Sequence, residues 1–356
     1  MGLIIKEIKD KAELKTFIEF PDKLYRNCQY YIPSLKKGQL STLSSDSNPA
    51  FEYCEARYWV ALSGNEMVGR IAAIINHKYN KERNISNMRF GWFDSIDDDK
   101  VSEALLSTVE NWAKERGMEY IHGPLGFTSF DRSGILVEGF QEMPTTFGNY
   151  NYPYYDVLLK KGGYEKEVDW LEYEIKVPPH LPQKVINIAD LVSKRYSIRN
   201  ANLNSRADLK KYARQLFDLL NIVYKDLLYF TQLNDVQIEK LSAEFTSMIH
   251  PDYISVILND QDEVVAFGII MPSLGKAIKK SGGKMFPFGI LRILWALRYN
   301  TTVDFLLIGV KPEYQNKGVN ALIFAKIANT MFKRGIKLIE TNRELENNQK
   351  VQLLWG

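Results

Sequence analysis

The sequence predicts a mixed α/β fold (α+β) in which two similar domains follow one another, each a twisted, mostly antiparallel sheet flanked by helices. The length of 356 residues exceeds that of one typical domain. The predicted order of elements starts again after Pro178–Pro182, which we interpret as a linker. Short stretches also recur in the two halves: Glu13–Lys15 with Asp208–Lys210, Val60–Leu62 with Val256–Leu258, and Arg116–Gly117 with Arg334–Gly335. We therefore expect an N-terminal domain, 1–178, and a C-terminal domain, 183–356, which carries an insertion at 272–298.

Hydrophobic periodicity and turn residues place the elements of the first half. In chain order they are a strand at 3–8, a helix at 10–26, hairpin strands at 57–62 and 67–75, a strand at 88–93, a helix at 99–116 and a strand at 120–123. A short helix and two extended stretches are expected between Asp156 and Val177. Pro21 should kink or end the first helix, and the irregular stretch 30–51 is expected to be a long surface loop.

The second half repeats this order. Its predicted elements are a strand at 196–202, helices at 208–228 and 237–249, hairpin strands at 253–258 and 264–271, a strand at 303–310, a helix at 319–334 and a strand at 336–341. No counterpart of the closing stretch 165–177 follows the last strand. We therefore expect another segment to cover the edge beside Ile336–Thr341. We also expect the natural chain to extend past Gly356, or its end to be disordered.

The insertion at 272–298 joins a basic run, Lys276–Lys284, to an apolar stretch, Met285–Arg298. A basic amphipathic segment can lie on a membrane surface. A lid or wall over the substrate site is the interpretation that we favour from the sequence, because the insertion connects the strand at 264–271 to the strand at 303–310.

The stretch from Thr302 to Glu346 carries the most functional information. A buried strand, Val303–Val310, leads into a polar turn, Lys311–Gly318, and a helix follows. Backbone N–H groups and the positive end of the helix dipole then converge on one point, which suits a pyrophosphate. The turn lacks both Gly-Lys-Ser/Thr and Gly-x-Gly-x-x-Gly, so it is neither a P-loop nor a dinucleotide fingerprint. The alternative is an ordinary βαβ crossover in which the glycine only caps a turn.

The turn resembles the acyl-CoA-binding loop of the GNAT family of N-acetyltransferases. Four residues match that loop in order and spacing: Val310, Pro312, Gln315 and Gly318. Asn320 stands where the family usually has Gly or Ala. Asn348 to Trp355 resembles a second family motif, with Val351 in place of Ala and Trp355 in place of Tyr. The resemblance implies two GNAT-like domains in a tandem bacterial protein.

What the resemblance implies is an N-acetyltransferase that transfers the acyl group of acetyl-CoA, or another acyl-CoA, directly to an amine, with no metal. The implied CoA-binding residues are Ile308, Gly309, Val310, Gln315, Asn316, Lys317, Gly318, Val319, Asn320, Asn348 and Trp355. The N–H groups of Ile308–Val310 are expected to polarise the thioester carbonyl. Glu340 is the first choice of general base, with Asp304 and Glu344 in reserve. The general acid stays open: the thiolate leaves unprotonated, or a tyrosine such as Tyr314 or Tyr150 serves.

The first half has a different sequence at the place of the turn. Asp94–Asp99 contains four aspartates and no glycine. Carboxylates at a helix N-terminus cap it and interact well with its dipole. They would also repel a pyrophosphate, so we expect the first domain to lack the cofactor site.

Composition limits the partners, metal sites and cellular location that we expect for the protein. The net charge of +3 gives no support for a DNA partner, and the two cysteines and four histidines show no metal-ligand spacing. No apolar run is long enough for a membrane span, and the N-terminus is unlike a signal peptide, so we expect a cytoplasmic protein. The expected acceptor is the amine of a small molecule or peptide, and the sequence allows a homodimer. The alternatives are an aminoacyltransferase that uses charged tRNA, supported by Lys276–Lys284, and a CoA-binding module without turnover.

Overall fold

The computed structural model describes residues 2–354, which form two compact units. The first unit contains the residues up to Trp170 together with Leu274–Leu294. The second contains Leu171–Ser273 together with the residues from Trp295 onward. Each unit has its own sheet, so the prediction of two mixed α/β domains with separate sheets is confirmed.

The first half of the chain forms five strands and five helices within the described residues. In order they are β1 (Leu3–Glu7), α1 (Lys11–Leu24), α2 (Lys36–Leu43), β2 (Cys54–Ser63), β3 (Glu66–Asn76), α3 (His77–Arg83), β4 (Asn87–Ser95), α4 (Asp99–Glu115), β5 (Tyr120–His122) and α5 (Tyr154–Lys161). Pro21 lies inside α1. The expected loop at 30–51 is wrong in part, because 36–43 forms α2. That helix has only two apolar side chains, so periodicity did not mark it.

The chain then continues into the second unit. The elements are β6 (Trp170–Leu171), β7 (Glu174–Lys176), α6 (Gln183–Tyr196), β8 (Arg199–Asn200), α7 (Arg206–Tyr224), α8 (Asp235–Met248), β9 (Ile254–Leu258), β10 (Val264–Pro272), α9 (Gly275–Ser281), α10 (Gly289–Arg298), β11 (Thr302–Val310), α11 (Asn320–Arg334), β12 (Leu338–Thr341), β13 (Glu344–Leu345) and α12 (Gln349–Gln352). The sequence did not predict α6, the helix that follows the proline-rich stretch.

The first sheet has the order β1-β2-β3-β4-β5, antiparallel except for the parallel pair β4–β5. Alternate residues of β3 enter two different cores, as the pleat of a strand requires. Ile71, Ala73 and Ile75 pack with the apolar face of α4. Ala72 and Ile74 pack with α1 and α2. The sheet is therefore covered on both faces.

The second sheet has the order β7-β12-β11-β10-β9-β8, antiparallel except for the parallel pair β11–β12. Helix α11 packs on one face, where a Cβ at Gly268 would lie 2.3 Å from Cγ2 of Ile323. Helix α7 covers the other face, where a Cβ at Gly309 would lie 3.0 Å from Cγ2 of Val223. Any side chain at Gly268 would push α11 off the strand.

Strand β7 covers the edge that the second half of the sequence leaves open. It pairs antiparallel with β12, and Thr341 and Tyr173 extend the ladder by one further hydrogen bond of 2.9 Å. The expectation that another segment covers this edge is confirmed. The segment is the closing stretch 165–177 itself, which the sequence analysis had placed in the first domain.

Most of the insertion, residues 274–294, packs within the first unit. The N–H of Leu274 donates to Oγ1 of Thr146, and Lys279 donates to the carbonyl oxygens of Cys28 and Gln29. Helix α10 begins in the first unit and ends in the second. Within the part of the chain that the structure describes, every helix is too short or too polar to cross a membrane.

Candidate active site

Strand β11 changes its pairing halfway along. The parallel ladder with β12 ends at the pair Phe305–Thr341. The antiparallel ladder with β10 runs on to Val310, after a bulge in which Leu306 is the extra residue. From Leu306 to Ile308 the side chains are only half-buried. The second half of β11 is therefore an edge, with β12 no longer paired beside it.

The backbone of this edge directs two N–H groups away from β10. Lys311 donates to the carbonyl of Val265, which lies opposite it. Because hydrogen-bonded and non-hydrogen-bonded positions alternate in an antiparallel pair, the N–H groups of Ile308 and Val310 point to the open side. The N–H of Gly309 points toward β10. Two of the three predicted polarising groups thus face the edge.

Three carboxylates lie side by side across the strands where the parallel ladder ends. Asp304 is paired with Glu340, and Glu340 is paired with Glu174 of β7. Cross-strand partners share a face of the sheet. Asp304 lies opposite Met271, which is on the same face of β10 as Phe267, the residue opposite Gly309. The carboxylates are therefore on the face that α7 covers.

Glu340 is the group whose protonation is most changed by this arrangement. Burial, the nearby charges of Asp304 and Glu174, and a hydrogen bond to Asp304 together raise its pKa to about 7. Asp304 itself is 1% exposed, whereas Glu340 is half-buried. Two carboxyl groups this close do not both ionise readily. Glu340 is accordingly poised to take up or release a proton near neutral pH.

Tyr224, the last residue of α7, contacts the open edge of β11. Its hydroxyl donates to the carbonyl of Ile308 over 3.1 Å. Burial raises the pKa of this phenol to about 12, and the charge of Glu344 adds to the effect. The hydroxyl keeps its proton at any physiological pH. It is thus a fixed donor that orients the strand end.

The turn after β11 is built as the sequence predicted. Gln315 donates to the carbonyl of Val310 over 3.0 Å, which folds the turn back on the strand end. Gly318 has a φ of +78°, a conformation that favours glycine. A Cβ there would lie 3.2 Å from side chains of Ile188 and Val192 on α6. Both the backbone conformation and the neighbouring helix therefore select glycine at this position.

The N-terminus of α11 has no side-chain cap and no acidic residue in its first turn. Lys317, just before it, holds its ammonium 5.0 Å from the ring of Tyr196. Asn320 begins the helix, and its amide oxygen is buried without a hydrogen-bond partner among the described residues. The local charge and the uncapped backbone fit the phosphates of a CoA molecule.

The other predicted site residues are spread more widely. Tyr314 is the last residue of a short 3₁₀ turn, Pro312–Tyr314, beyond the end of β11. Asn348 precedes the short helix α12, and Trp355 lies outside the described residues. Tyr150 is buried in the first unit and donates to the carbonyl of Phe140.

The first repeat has a different set of residues at the corresponding points. The end of its parallel ladder pairs Arg89 with His122. Its α4 is capped by Asp98, which accepts from the N–H of Lys100 over 2.8 Å. Asp94 accepts from the buried side chain of Arg70. One of the four predicted carboxylates, Asp98, therefore caps α4, whereas Asp94 lies on β4 and binds Arg70.

Sequence reasoning missed Glu174 and Tyr224. Glu174 was missed because β7 was assigned to the first repeat, although the absence of a closing strand in the second repeat was a usable signal. Tyr224 was missed because it is the last residue of an amphipathic helix, and nothing in the spacing marks which end of α7 reaches the strand edge.

The sequence of the chain was compared with those of known proteins. No protein-family model matches the chain. The chain is 28% identical over 356 residues to Protein YghO of Escherichia coli (strain K12), covering 97% of this chain and 89% of that protein. It is 26% identical over 321 residues to the bacterial ceramide synthase of Caulobacter vibrioides, covering 88% of this chain and 82% of that protein.

Among solved structures, the chain is similar to a tandem GNAT protein from the clavulanic acid biosynthesis pathway. The TM-score is 0.54 at 11% identity, and the match covers 99% of this chain and 93% of that one. At this identity the likeness establishes the fold. The chain thus folds as two GNAT domains in tandem, as its turn and its repeated order of elements predicted.

Proposed function

We propose that the chain is an acyl-CoA-dependent N-acyltransferase whose reaction takes place in the second repeat, on the sheet face covered by α7. One observation carries the proposal: Glu340, with a pKa of about 7, lies where the β11–β12 ladder ends. A general base works best when its pKa is near the working pH. The alternative is that Glu340 is an ordinary surface carboxylate. Such a residue would not be expected to lie beside a buried acidic residue such as Asp304.

The donor is assigned from the turn and helix after β11. The uncapped N-terminus of α11, the glycine at 318 and the ammonium of Lys317 would together hold the pyrophosphate of CoA. The acyl end would then lie along the open edge of β11, next to the N–H groups of Ile308 and Val310. The bound CoA molecule would therefore extend from its phosphates at the turn toward Glu340.

The proposed reaction is a direct transfer. Glu340, directly or through a water, takes a proton from the ammonium of the acceptor, and the free amine attacks the thioester carbon. The N–H groups of Ile308 and Val310 bind the carbonyl oxygen as negative charge develops. The C–N bond forms and the C–S bond breaks. The attacking nitrogen passes its second proton, through water, to the departing thiolate, which leaves as the thiol, so neither Tyr314 nor Tyr150 is required as an acid.

We assign Tyr224 a positioning role in this scheme. Its hydrogen bond to the Ile308 carbonyl fixes the peptide planes of the strand end and hence the direction of the N–H groups beside it. Its pKa of about 12 is far above that of a thiol, about 8.5, so it would not give up its proton to the leaving sulfur.

For the acceptor we propose a primary amine on a long-chain molecule. A ceramide is an amide of a long-chain amino alcohol, and the printed name of the Caulobacter vibrioides relative is bacterial ceramide synthase. The proposal for the acceptor rests on that likeness, whereas the proposal for the chemistry rests on the site.

Amine-dependent release of the CoA thiol tests the function. Acetyl-CoA and palmitoyl-CoA would each be supplied with a long-chain amino alcohol, a polyamine and a peptide amine, and the amide would be identified by mass spectrometry. We expect thiol release and an amide with at least one pair, and none without an amine. Failure to bind either thioester in calorimetry, together with no thiol release, would sink the proposal.

A further inference from the structure

The loop before α10 and one face of that helix expose large apolar side chains that nothing in the described structure covers. Phe286 is 76% exposed and Phe288 63% exposed. On the helix, Leu291, Leu294 and Trp295 are 60%, 55% and 64% exposed. The three helical positions are spaced i, i+3 and i+4, so they share one face. These five residues are called the α10 surface below.

The opposite side of α10 is apolar as well, since Ile293 and Ala296 are buried. Apart from Arg292 and Arg298, α10 is apolar all round, and a helix of that kind is normally buried on all sides or in contact with lipid. In this chain only one side is buried by protein. The α10 surface is therefore unusual for a face in contact with water, because several of the largest apolar side chains of the chain are gathered on it.

The charges on the chain segment that carries the α10 surface are all of one sign. Residues 273–302 contain six Lys or Arg and no Asp or Glu. Within the described residues, none of the six forms an ion pair with a carboxylate. Five of them are exposed: Lys276, Lys280, Lys284, Arg292 and Arg298. A negatively charged partner would complement the positive charge of these residues.

A second copy of the chain fits this pattern poorly. In a two-fold symmetric dimer the same surface faces itself, so the positive side chains of both copies would meet. A bilayer that contains anionic lipids has no such conflict. Exposed Phe and Trp side chains enter the boundary between headgroups and acyl chains, while Lys and Arg interact with the phosphates.

We propose that the α10 surface docks the protein onto an anionic lipid membrane, with α10 lying in the plane of the interface. The helix has ten residues, about 15 Å long at the rise of an α-helix, and a bilayer core is about 30 Å thick. It therefore lies on the membrane without crossing it. Docking of this kind is independent of the reaction proposed for the second repeat.

Co-sedimentation with vesicles tests the docking. We expect the wild-type chain to bind vesicles of phosphatidylcholine with phosphatidylglycerol, to bind phosphatidylcholine alone much more weakly, and to be released by salt. The double substitution F288S/W295S should lower the partition coefficient by about tenfold or more, since each exposed aromatic that enters the interface contributes substantially. R292E/R298E should remove the preference for anionic vesicles.

Tyr120→Ser is the matched control, because Tyr120 is an aromatic side chain that is 68% exposed on β5. It should bind vesicles as the wild type does. Circular dichroism of each variant establishes that it is folded. The proposal is overturned if the wild type does not bind anionic vesicles at low salt, or if F288S/W295S binds them as well as the wild type. It is also overturned if the α10 surface proves to mediate a vesicle-independent dimer or salt-sensitive tRNA binding in place of lipid binding.

Discussion

The two repeats hold ionisable side chains of opposite type at the same point of the same fold, basic in the first repeat and acidic in the second. In the third pair of the parallel ladder the first repeat has Arg89 opposite His122, and the second has Asp304 opposite Glu340. Burial and the neighbouring guanidinium lower the pKa of His122 to about 3. Burial and the neighbouring carboxylate raise the pKa of Glu340 to about 7. One fold thus holds a permanently neutral imidazole in one copy and a carboxyl that titrates near neutrality in the other.

The turns that follow β4 and β11 also differ in charge between the two repeats. In the first repeat a carboxylate, Asp98, accepts from the first turn of α4. In the second repeat no side chain caps α11. Carboxylate capping and phosphate binding use the same N–H groups. We therefore expect a repeat that keeps the cap to lack the anion site.

The comparison gives a direct test of which ladder end is catalytic. Glu340→Gln should lower kcat/KM by about 10²–10⁴-fold, the range for loss of a general base, with little change in CoA affinity. His122→Gln in the first repeat should leave kcat/KM unchanged once both variants are shown by circular dichroism to be folded. Thiol release measures both. An equal loss in the two variants would mean that Glu340 acts only through stability.

A second test sets the two turns against each other. Gly318→Asp should weaken CoA binding by roughly 10- to 100-fold, because it adds a negative charge near the phosphates and a side chain where the φ of +78° favours glycine. Gly318→Ala separates the causes, because Ala introduces the Cβ and the strain of a φ of +78° without the charge. Calorimetry with CoA measures the affinities.

The control for this test is Asp98→Ala, which removes the cap of α4. It should cost about 1 kcal/mol of stability and leave the CoA affinity unaltered. If Gly318→Asp and Gly318→Ala bind CoA equally well, electrostatics at this turn is unimportant. If Asp98→Ala weakens CoA binding as much as Gly318→Asp does, the asymmetry between the repeats is wrong.

A smaller effect is expected at the open edge of β11. Tyr224→Phe removes one hydrogen bond, to the carbonyl of Ile308. A neutral hydrogen bond contributes about 0.5–1.5 kcal/mol, so kcat should fall roughly 2- to 10-fold while KM for the thioester changes little. Val223, its neighbour on α7, offers a control: Val223→Ala alters packing and not the hydrogen bond. A parallel fall of kcat in both variants would contradict a positioning role for the hydroxyl.

The sequence was sufficient for the repeats and the turn, because both depend on local signals. Hydrophobic alternation marked the hairpins, and Gly318 and Pro312 marked the turn. It was insufficient for the pairing of β7, which is a long-range choice between two sheet edges. The site depends on that pairing, since Glu174 becomes a neighbour of Glu340 only when β7 leaves the first repeat. Helix α2 was missed for the opposite reason: it is local, but it has almost no apolar periodicity.

The last prediction concerns the pKa shifts of His122 and Glu340, which are opposite in direction. They should make the stability of the protein depend on pH in opposite directions. For His122 the folded pKa, about 3, is below the ordinary value of 6.5. As pH falls below 6.5 the unfolded chain takes up a proton that the folded chain does not, so stability is lost on acidification. For Glu340 the folded pKa, about 7, is above the ordinary value of 4.5. The folded chain then holds an extra proton between these values, and stability is lost as pH rises through that window.

Each change has a slope of at most about 1.4 kcal/mol per pH unit per proton, and the slope for Glu340 is smaller because solvent screens its half-exposed carboxyl. Urea unfolding of His122→Gln, Glu340→Gln and the wild type at a series of pH values measures both. Relative to the wild type, His122→Gln should gain stability as the solution is made acidic, and Glu340→Gln should gain it as the pH rises from about 4.5 to 7. If both variants shift the pH profile in the same direction, the pKa values of His122 and Glu340 are not shifted in opposite directions in solution, and the chemical difference between the repeats must lie in the turns alone.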